Sequence, residues 1–475
     1  MEIRAIVIIL YALMVLTVGY LGMRRTSSFS DFFLGGGNVG PWMTAFTYGT
    51  AYFSAVLFIG FAGKIGWGFG YSSLWIMVGN ALAGVCLVWH FLAPKSKQMS
   101  VEYGVATMGE YLQKRYDSPF MKLFSSVSIF VFFIPYTAAV FMGLSYLFKA
   151  NFQMDYTFAL IFMGLFTAAY LIMGGYKSMT VIDVAFGIIM CVGVITLLWS
   201  TINAGGGLDE ITRKLAEINP KLTTAVGPPG FWPLFCLVFL TSAAPFGMPQ
   251  LVQKFYAIKD ERSIKIGKIA STLFAFLVVG TAYFAGSTIR IFLTPENTPQ
   301  AFSGGKPIYD ALMPEFMMKV IPHSLSILIL LLILAASMST LAALVLISSS
   351  TAIKDFYAGF VNKGVSDRRL TLLMRISSGF FVLVSVILAY FKPATIVSIL
   401  GISWGAIGSV FLGPFIWGLF WKRCGKAGAI ASSTLGLTVC MGLYFTGTSS
   451  PEAGTIGMLV SLAVNPLVSL FVPVG

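Results

Sequence analysis

Charge is what this sequence has least of. Only 10% of its 475 residues are Asp, Glu, Lys or Arg, where a soluble protein carries about a quarter. That shortage excludes a water-facing surface over most of the molecule, so lipid must be its solvent. Histidine is scarce too: His90 and His323 stand alone near the ends of apolar runs. The five cysteines, Cys86, Cys191, Cys236, Cys424 and Cys440, are scattered and mostly lie inside apolar runs. No pair has metal-ligand spacing, which reads as structural thiols rather than a metal centre or disulfide framework. No nucleophile–base pair or phosphate-binding loop stands out, which argues against an enzyme, and nothing resembles the selectivity filter of a channel.

What is present is apolar. Hydrophobic residues make up 57% of the chain and the mean hydropathy is +0.86. A spanning helix needs about 20 such residues. Thirteen runs qualify, at about 3–23, 41–63, 71–93, 122–148, 156–174, 179–203, 231–253, 266–292, 324–353, 370–391, 394–420, 427–446 and 454–474. The first begins almost at Met1 without a small-residue cleavage site, so it reads as a span and not a cleaved signal. The fold class is an all-α polytopic membrane protein in one transmembrane domain, 1–475.

The net charge of +13 sits in short loops, without an aromatic-interleaved patch. It is a topological signal and no nucleic-acid footprint. With the N-terminus outside, the inner loops hold 21 of the 31 lysines and arginines, Lys254 among them. The expectation is a protein of the cell (cytoplasmic) membrane, N-terminus outside and C-terminus inside. Glu102–Phe120 reads as an amphipathic segment on the inner face, and Gly206–Leu222 as a short outer helix. The chain stops in "NPLVSLFVPVG" without a charged tail, which reads as a short last span or a trimmed end.

Two spans carry helix breakers in matching places. The second holds Gly49, Thr50 and Ser54 at mid-membrane, and the seventh holds "LTSAAPFGMPQ" with Pro245, Gly247 and Pro249. Proline removes a backbone donor and clashes with the preceding turn. Two interrupted helices five spans apart are the mark of a transporter built from inverted repeats. Spans 2–6 and 7–11 then form two five-helix repeats, about 39–203 and 231–421, after a first span at 1–24 and before added spans at 425–475. Unwound backbone in lipid is tolerated where it lines a cavity or binds something, and freed carbonyls are hard ligands suited to sodium. The ninth span supplies hydroxyls in "LAASMSTLAALVLISSST" (Leu334–Thr351). Ser348–Thr351 read as hydroxyls bonded to their own helix. Ser339 and Thr340 have two readings here, the same back-bonding or a shared ion.

Four stretches add a resemblance. "DFFLGGGNVGPWMTA" (Asp31–Ala45) leads into the broken second span, and "GGYKSMTVID" (Gly174–Asp183) opens the sixth. "AASMSTL" (Ala335–Leu341) lies in the ninth, and "FWKRCGKAGAIASSTLG" (Phe420–Gly436) follows the eleventh. Together they resemble the sodium:solute symporters, a family that includes sodium/proline, sodium/pantothenate, sodium/monocarboxylate and sodium/glucose carriers. The resemblance implies a leucine-transporter-type fold and symport of a small organic solute with sodium as coupling ion, without another cofactor. It carries the sodium ligands to the backbone carbonyls of Thr50, Phe53 and Ala336 and the hydroxyls of Ser339 and Thr340. Asp183 maps to a carboxylate near that site, and an intramembrane acid is a functional residue by default.

The resemblance also implies solute contacts at Ser54, Tyr52, Tyr136, Thr241 and Pro245, with Trp404 as a further wall. Two departures matter. Members with a second sodium use hydroxyls where this chain has Ala342 and Ala343, which points to one sodium per cycle, and where some members carry an Asp in the broken second span this chain has Tyr52. Where the proline carriers place large aromatics, Thr241 and Pro245 stand here, so the solute is left open among amino acids, monocarboxylates and pantothenate-like molecules. Lys64, in "FAGKIGWG", either reaches the solute and favours an anion or snorkels to the headgroups. The alternatives are a proton-coupled symporter using Asp183, or a membrane solute sensor, which would need a signalling module for which no room remains after Pro473. Oligomeric state is not readable.

Overall fold

In lipid a chain must satisfy its backbone hydrogen bonds internally, so apolar runs become helices. The computed structural model describes residues 2–25, 29–35, 39–173 and 175–472; Gly36–Asn38, Gly174 and Pro473–Gly475 of the quoted stretches fall outside them. Among the described residues, eleven helices are long and apolar enough to cross a membrane. A twelfth crossing is the pair Phe231–Gly247 and Pro249–Tyr256, bent by 41°. Thirteen were expected, and the difference lies in one helical run, Val56–Tyr103. Its 48 residues would extend about 72 Å, over twice the ~30 Å of a bilayer core.

That run reverses at Gly70, whose φ of +60° is open to glycine but strained for other residues. The helix Glu261–Phe292 records the reversal. Going along it, Phe274 meets Gly49 and Gly286 meets Ala62 and Gly66, while Gly280 meets Met77 and Gly267 meets Trp89. The chain therefore runs with this helix up to Phe69 and against it from Leu74. Counted that way, the run crosses twice. At the Gly66–Gly286 crossing a Cβ on either residue would overlap the other strand of backbone, so both positions need glycine.

Both breaks are present. The second span is helical over Pro41–Tyr52, becomes extended at Phe53 (φ −111°, ψ 117°) and resumes as a π-helix at Val56–Phe61. The seventh is helical over Phe231–Ala243, tightens at Ala244–Gly247, is extended at Met248 (φ −80°, ψ 113°) and restarts at Pro249. Proline suits that restart, because its missing N–H would have no partner in a first turn. The ninth span, Ser326–Ser350 continuing through Thr351–Val361, is buried on every side from Leu332 to Thr351. A helix apolar and buried all round sits at the centre of the protein.

The inner amphipathic segment is two pieces instead of one. Ala93–Tyr103 prolongs the third span and ends at Gly104, after which Met108–Tyr116 begins with a Thr107/Glu110 capping box. Thr107 Oγ1 donates to Asp355 Oδ1 at 2.8 Å and Lys354 pairs with Glu110 at 3.4 Å, fastening this helix to the C-terminal end of the ninth span. The outer helix forms over Leu208–Ile218.

Candidate functional site

The first break meets the central helix through hydroxyls. Thr340 Oγ1 stands 3.1 Å from the Ala336 carbonyl, 3.2 Å from that of Ala51 and 3.5 Å from that of Thr50. It has one proton for three acceptors. Back-bonding to Ala336 is thus only part of its surroundings; the other carbonyls come from a different span. Ser339 Oγ donates to Thr50 Oγ1 at 2.8 Å, which donates to the Phe46 carbonyl at 2.8 Å. With its proton used there, the lone pairs of Ser339 stay available. Two residues before Ser339, Ser337 Oγ accepts from the Ala55 backbone N–H at 3.1 Å, closing the other side of the break. Four of the five expected ligands, Thr50, Ala336, Ser339 and Thr340, are brought together here, with Ala51 adding a carbonyl that was not foreseen, and Phe53 follows in the extended backbone of the break. Of Ser348–Thr351, Ser349 and Ser350 are back-bonded to Leu346 and Ile347, as the simpler reading had it, but Ser348 Oγ is buried without a hydrogen-bond partner among the described residues, against that reading.

Asp183 lies beside this cluster, completely buried, facing Ser339, Thr47 and Thr50. Neither of its carboxylate oxygens has a hydrogen bond of ordinary geometry among the described residues. Its charge is felt by Lys254, which the sequence reading counted among inner-loop cations. That count needs correcting: Lys254 is 0% exposed, in the restarted helix Pro249–Tyr256, every residue of which is buried. Its ammonium lies 4.7 Å from the Tyr176 ring centre and 4.0 Å from Met179 Sδ.

A cavity of about 40 Å³ adjoins the break, walled by Tyr52, Phe53, Ser54, Tyr136, Thr241 and Trp404 together with Asn80, Tyr283 and apolar residues. Tyr52 stacks between Phe53 and Trp404 at ring-centre distances of 4.4 and 5.9 Å, and Tyr136 meets Trp404 edge-on at 5.9 Å. The Tyr52 hydroxyl donates to the Thr241 carbonyl at 2.6 Å, joining the two breaks. Solute cavities run to ~300 Å³ and more, so this one is closed on its own aromatic side chains. Pro245 is buried in the second break but does not line the cavity; the proline bends the chain there without presenting its ring to the space. Asn80 and Tyr283 were missed by the sequence reading, because a single polar residue in an apolar run carries no sign of the face it occupies.

Lys64 does not line the cavity either. Its Nζ donates to Thr395 Oγ1 at 3.3 Å and lies 5.4 Å from the Tyr309 ring centre. Beside it Asp310, in the loop helix Tyr309–Val320, accepts from the Ile396 backbone N–H at 3.2 Å. Neighbouring ends of the second and eleventh spans are thereby tied under one loop helix. Burial raises the Asp310 carboxyl to about 6, with the Ile396 N–H and Lys64 opposing. A carboxyl raised on folding stabilises the fold while protonated. That contribution is complete below about pH 4 and gone above about pH 6. Relative to Asp310→Asn, the wild-type protein should lose about 3 kcal/mol of stability across that window. Parallel profiles of thermal midpoint against pH for the two proteins would rule this out.

These features, a broken second span laid against hydroxyls of a central helix, have counterparts among known proteins. The profile of the sodium:solute symporter family matches residues 32–436. The chain belongs to that family. This symporter is 28% identical over 435 residues to the high-affinity proline transporter PutP of Bacillus subtilis (strain 168), spanning 89% of this chain and 88% of that one. It is 26% identical over 447 residues to the sodium/pantothenate symporter of Escherichia coli (strain K12), spanning 90% and 88%. Its fold matches that of a Na+-coupled sialic acid symporter in a substrate-bound outward-open state, with a TM-score of 0.83 at 19% identity over 100% of this chain and 98% of that one. A nucleobase–cation symport transporter in a closed conformation matches at a TM-score of 0.54 and 13% identity, over 90% and 92%. The symporter is thus a multi-pass membrane transporter of leucine-transporter type, coupled to sodium, and not an enzyme.

Proposed function

We propose that this symporter carries one sodium ion with one small organic solute into the cell by alternating access. The ion is held by the carbonyls of Thr50, Phe53 and Ala336 and the hydroxyls of Ser339 and Thr340, with Ala51 as a further oxygen. The observation that carries this reading is the Thr340 hydroxyl, set among three carbonyls from two different spans. A hard cation satisfies all of those oxygens at once, where one proton satisfies one. Ala342 and Ala343 offer no hydroxyls for another ion, and the uncovered Asp183 carboxylate supplies charge balance nearby. The solute sits in the aromatic cavity beside Ser54. The repeats run over about 39–203 and 231–421, and the termini lie outside and inside the cell membrane respectively.

Coupling follows from position and needs no chemistry. Sodium joins the first break to the ninth span, and the same break supplies Phe53 and Ser54 to the cavity wall. An ion that fixes the break raises solute affinity, and by linkage the solute raises sodium affinity equally. One charge moved through 100 mV is worth about 2.3 kcal/mol, and a tenfold sodium gradient adds about 1.4 kcal/mol. A neutral or zwitterionic solute can then be concentrated roughly 500-fold, and a monoanion, whose charge cancels that of sodium, roughly tenfold. Purified protein in proteoliposomes tests this by current and uptake together. The expected ratio is one charge per zwitterion and none per monoanion. Two charges per zwitterion would refute the single ion, and uptake unchanged in potassium would refute sodium and turn attention to a proton on Asp183.

A further inference from the structure

The eleventh span ends at Phe420, the twelfth begins at Lys426 and the thirteenth ends at Phe471, all on one face of the membrane. Trp417 and Trp421 pair there with ring centres 5.9 Å apart, as tryptophans do at the level of lipid headgroups. Phe420, Leu470 and Phe471 are apolar and exposed, so lipid chains begin at this level. Against this boundary lies a cavity of about 620 Å³. Its basic wall holds Lys114 and Arg115 of the helix Met108–Tyr116 and Lys426 of the twelfth span, with Asp117 as the acid among the described lining residues. Ile430 and Val472 make an apolar wall. None of the three cations is in an ion pair among the described residues. Arg115 donates to the carbonyls of Gly418 at 2.9 Å and Trp421 at 3.1 Å, which fix the guanidinium without cancelling its charge. Lys426 is exposed, as are Lys422 and Arg423 on the same loop.

Like charges gathered without counter-charges repel one another, and an anion among them relieves that repulsion. The complement of a basic wall beside an apolar one is an anionic amphiphile. A soluble anion leaves the apolar wall uncovered, and a zwitterionic headgroup brings no net charge. We propose that this cavity binds the phosphate headgroup of an anionic phospholipid, with Lys114, Arg115 and Lys426 around the phosphate and an acyl chain along Ile430 and Val472. Basic pockets between membrane helices take such headgroups, and phosphate bonds to cations through charge-assisted hydrogen bonds. The site bears on transport through the helix Met108–Tyr116. Arg115 clamps that helix to the end of the eleventh span, while Thr107 and Glu110 fasten it to the ninth. A lipid held there braces the helix that secures the span carrying Ser339 and Thr340.

The test uses the full-length protein in maltoside detergent. Thermal midpoint is followed as dioleoylphosphatidylglycerol or dioleoylphosphatidylcholine is raised in the micelles, and native mass spectrometry counts the lipid retained. Phosphatidylglycerol should act at a mole fraction about tenfold lower than phosphatidylcholine. Lys114→Gln and Lys426→Gln should each weaken it about fivefold, and together about thirtyfold. Lys426→Arg should restore it. Asp117→Asn should tighten it about threefold by removing the opposing charge. Asparagine accepts the left-handed backbone at that position, φ 45°, so this variant keeps the proposal open to refutation if the lysine variants fold poorly. Lys221→Gln, at an exposed lysine after the helix Leu208–Ile218, should change nothing. Equal action of the two lipids, or Lys426→Gln and Asp117→Asn both indistinguishable from wild type, would overturn the proposal. So would a loss in Lys221→Gln as large as that in Lys426→Gln, which would mean general surface charge. The same rise from inorganic phosphate or glycerol 3-phosphate would give the cavity to a soluble anion and overturn the lipid.

Discussion

Replacing Ser339 and Thr340 together by alanine should abolish sodium-dependent uptake while leaving a folded protein. Each hydroxyl touches the first break directly, Thr340 through the carbonyls of Ala51 and Thr50 and Ser339 through Thr50 Oγ1. A ligand to a charged group contributes about 1.5–3 kcal/mol. Losing two costs sodium binding about 10²–10⁴-fold. The fold itself should lose little, because Thr340 also back-bonds within its own helix and alanine favours helix. The single change Thr340→Ala should have the larger effect of the two, since its oxygen stands among three carbonyls. Thr340→Ser keeps the oxygen and should recover most of the affinity. The measurement is the sodium concentration that gives half of the sodium-induced rise in thermal midpoint, repeated with saturating solute. If the double variant needs no more sodium than wild type, the ion is elsewhere. If its potassium midpoint collapses as well, the hydroxyls hold the two spans together and not the ion.

How far this site could be read beforehand depended on the kind of residue. Pro245, Gly247 and Pro249 act on the backbone wherever they lie, so the second break was visible in the letters and is present in the chain. The first break was weaker in sequence, because Gly49 and Ser54 fit an ordinary membrane helix; its position five spans earlier and the resemblance at Asp31–Ala45 supplied what composition lacked. Side-chain direction was the part out of reach. Asn80 and Tyr283 line the cavity while Pro245 and Lys64 do not, and hydropathy carries no azimuth for a helix surrounded by apolar neighbours. Lys254 was misjudged for a related reason. The stretch Pro249–Tyr256 contains two glutamines and a lysine, which in a linear reading looks like the end of a span. Packing overrides it: Gln253 donates to the Phe33 carbonyl at 2.8 Å and the whole helix is buried.

That misjudged lysine yields the second large effect. Lys254→Met should destabilise the protein, by at most the about 3–5 kcal/mol of a broken buried pair, because it removes a cation whose charge Asp183 feels although the two make no direct ion pair. The two residues feel each other's charge, neither is exposed, and the Asp183 oxygens face only the hydroxyls of Ser339, Thr47 and Thr50, none in ordinary hydrogen-bond geometry. Tyr176 and Met179, which hold the ammonium, lie on the same helix as Asp183 and within two turns of it. Methionine fills the space of the lysine stem, so the loss would come from charge and not from a cavity. Adding Asp183→Asn removes the stranded carboxylate and should recover most of the stability, making the two changes strongly non-additive. Sodium sharpens the contrast. An ion bound at Thr340 and Ser339 stands beside Asp183, so it should rescue Lys254→Met more than it stabilises wild type, and should lose that extra effect in the double variant. The four proteins compared in sodium and in potassium separate the possibilities. Additive losses would mean that Lys254 answers to the Tyr176 ring alone. Non-additive losses without the sodium rescue would mean that the pair is structural and stands apart from the ion. Only the combination makes Asp183 a charge shared between a fixed lysine and a travelling sodium, which would leave the symporter a stable place for its ion to enter and a reason to let it go.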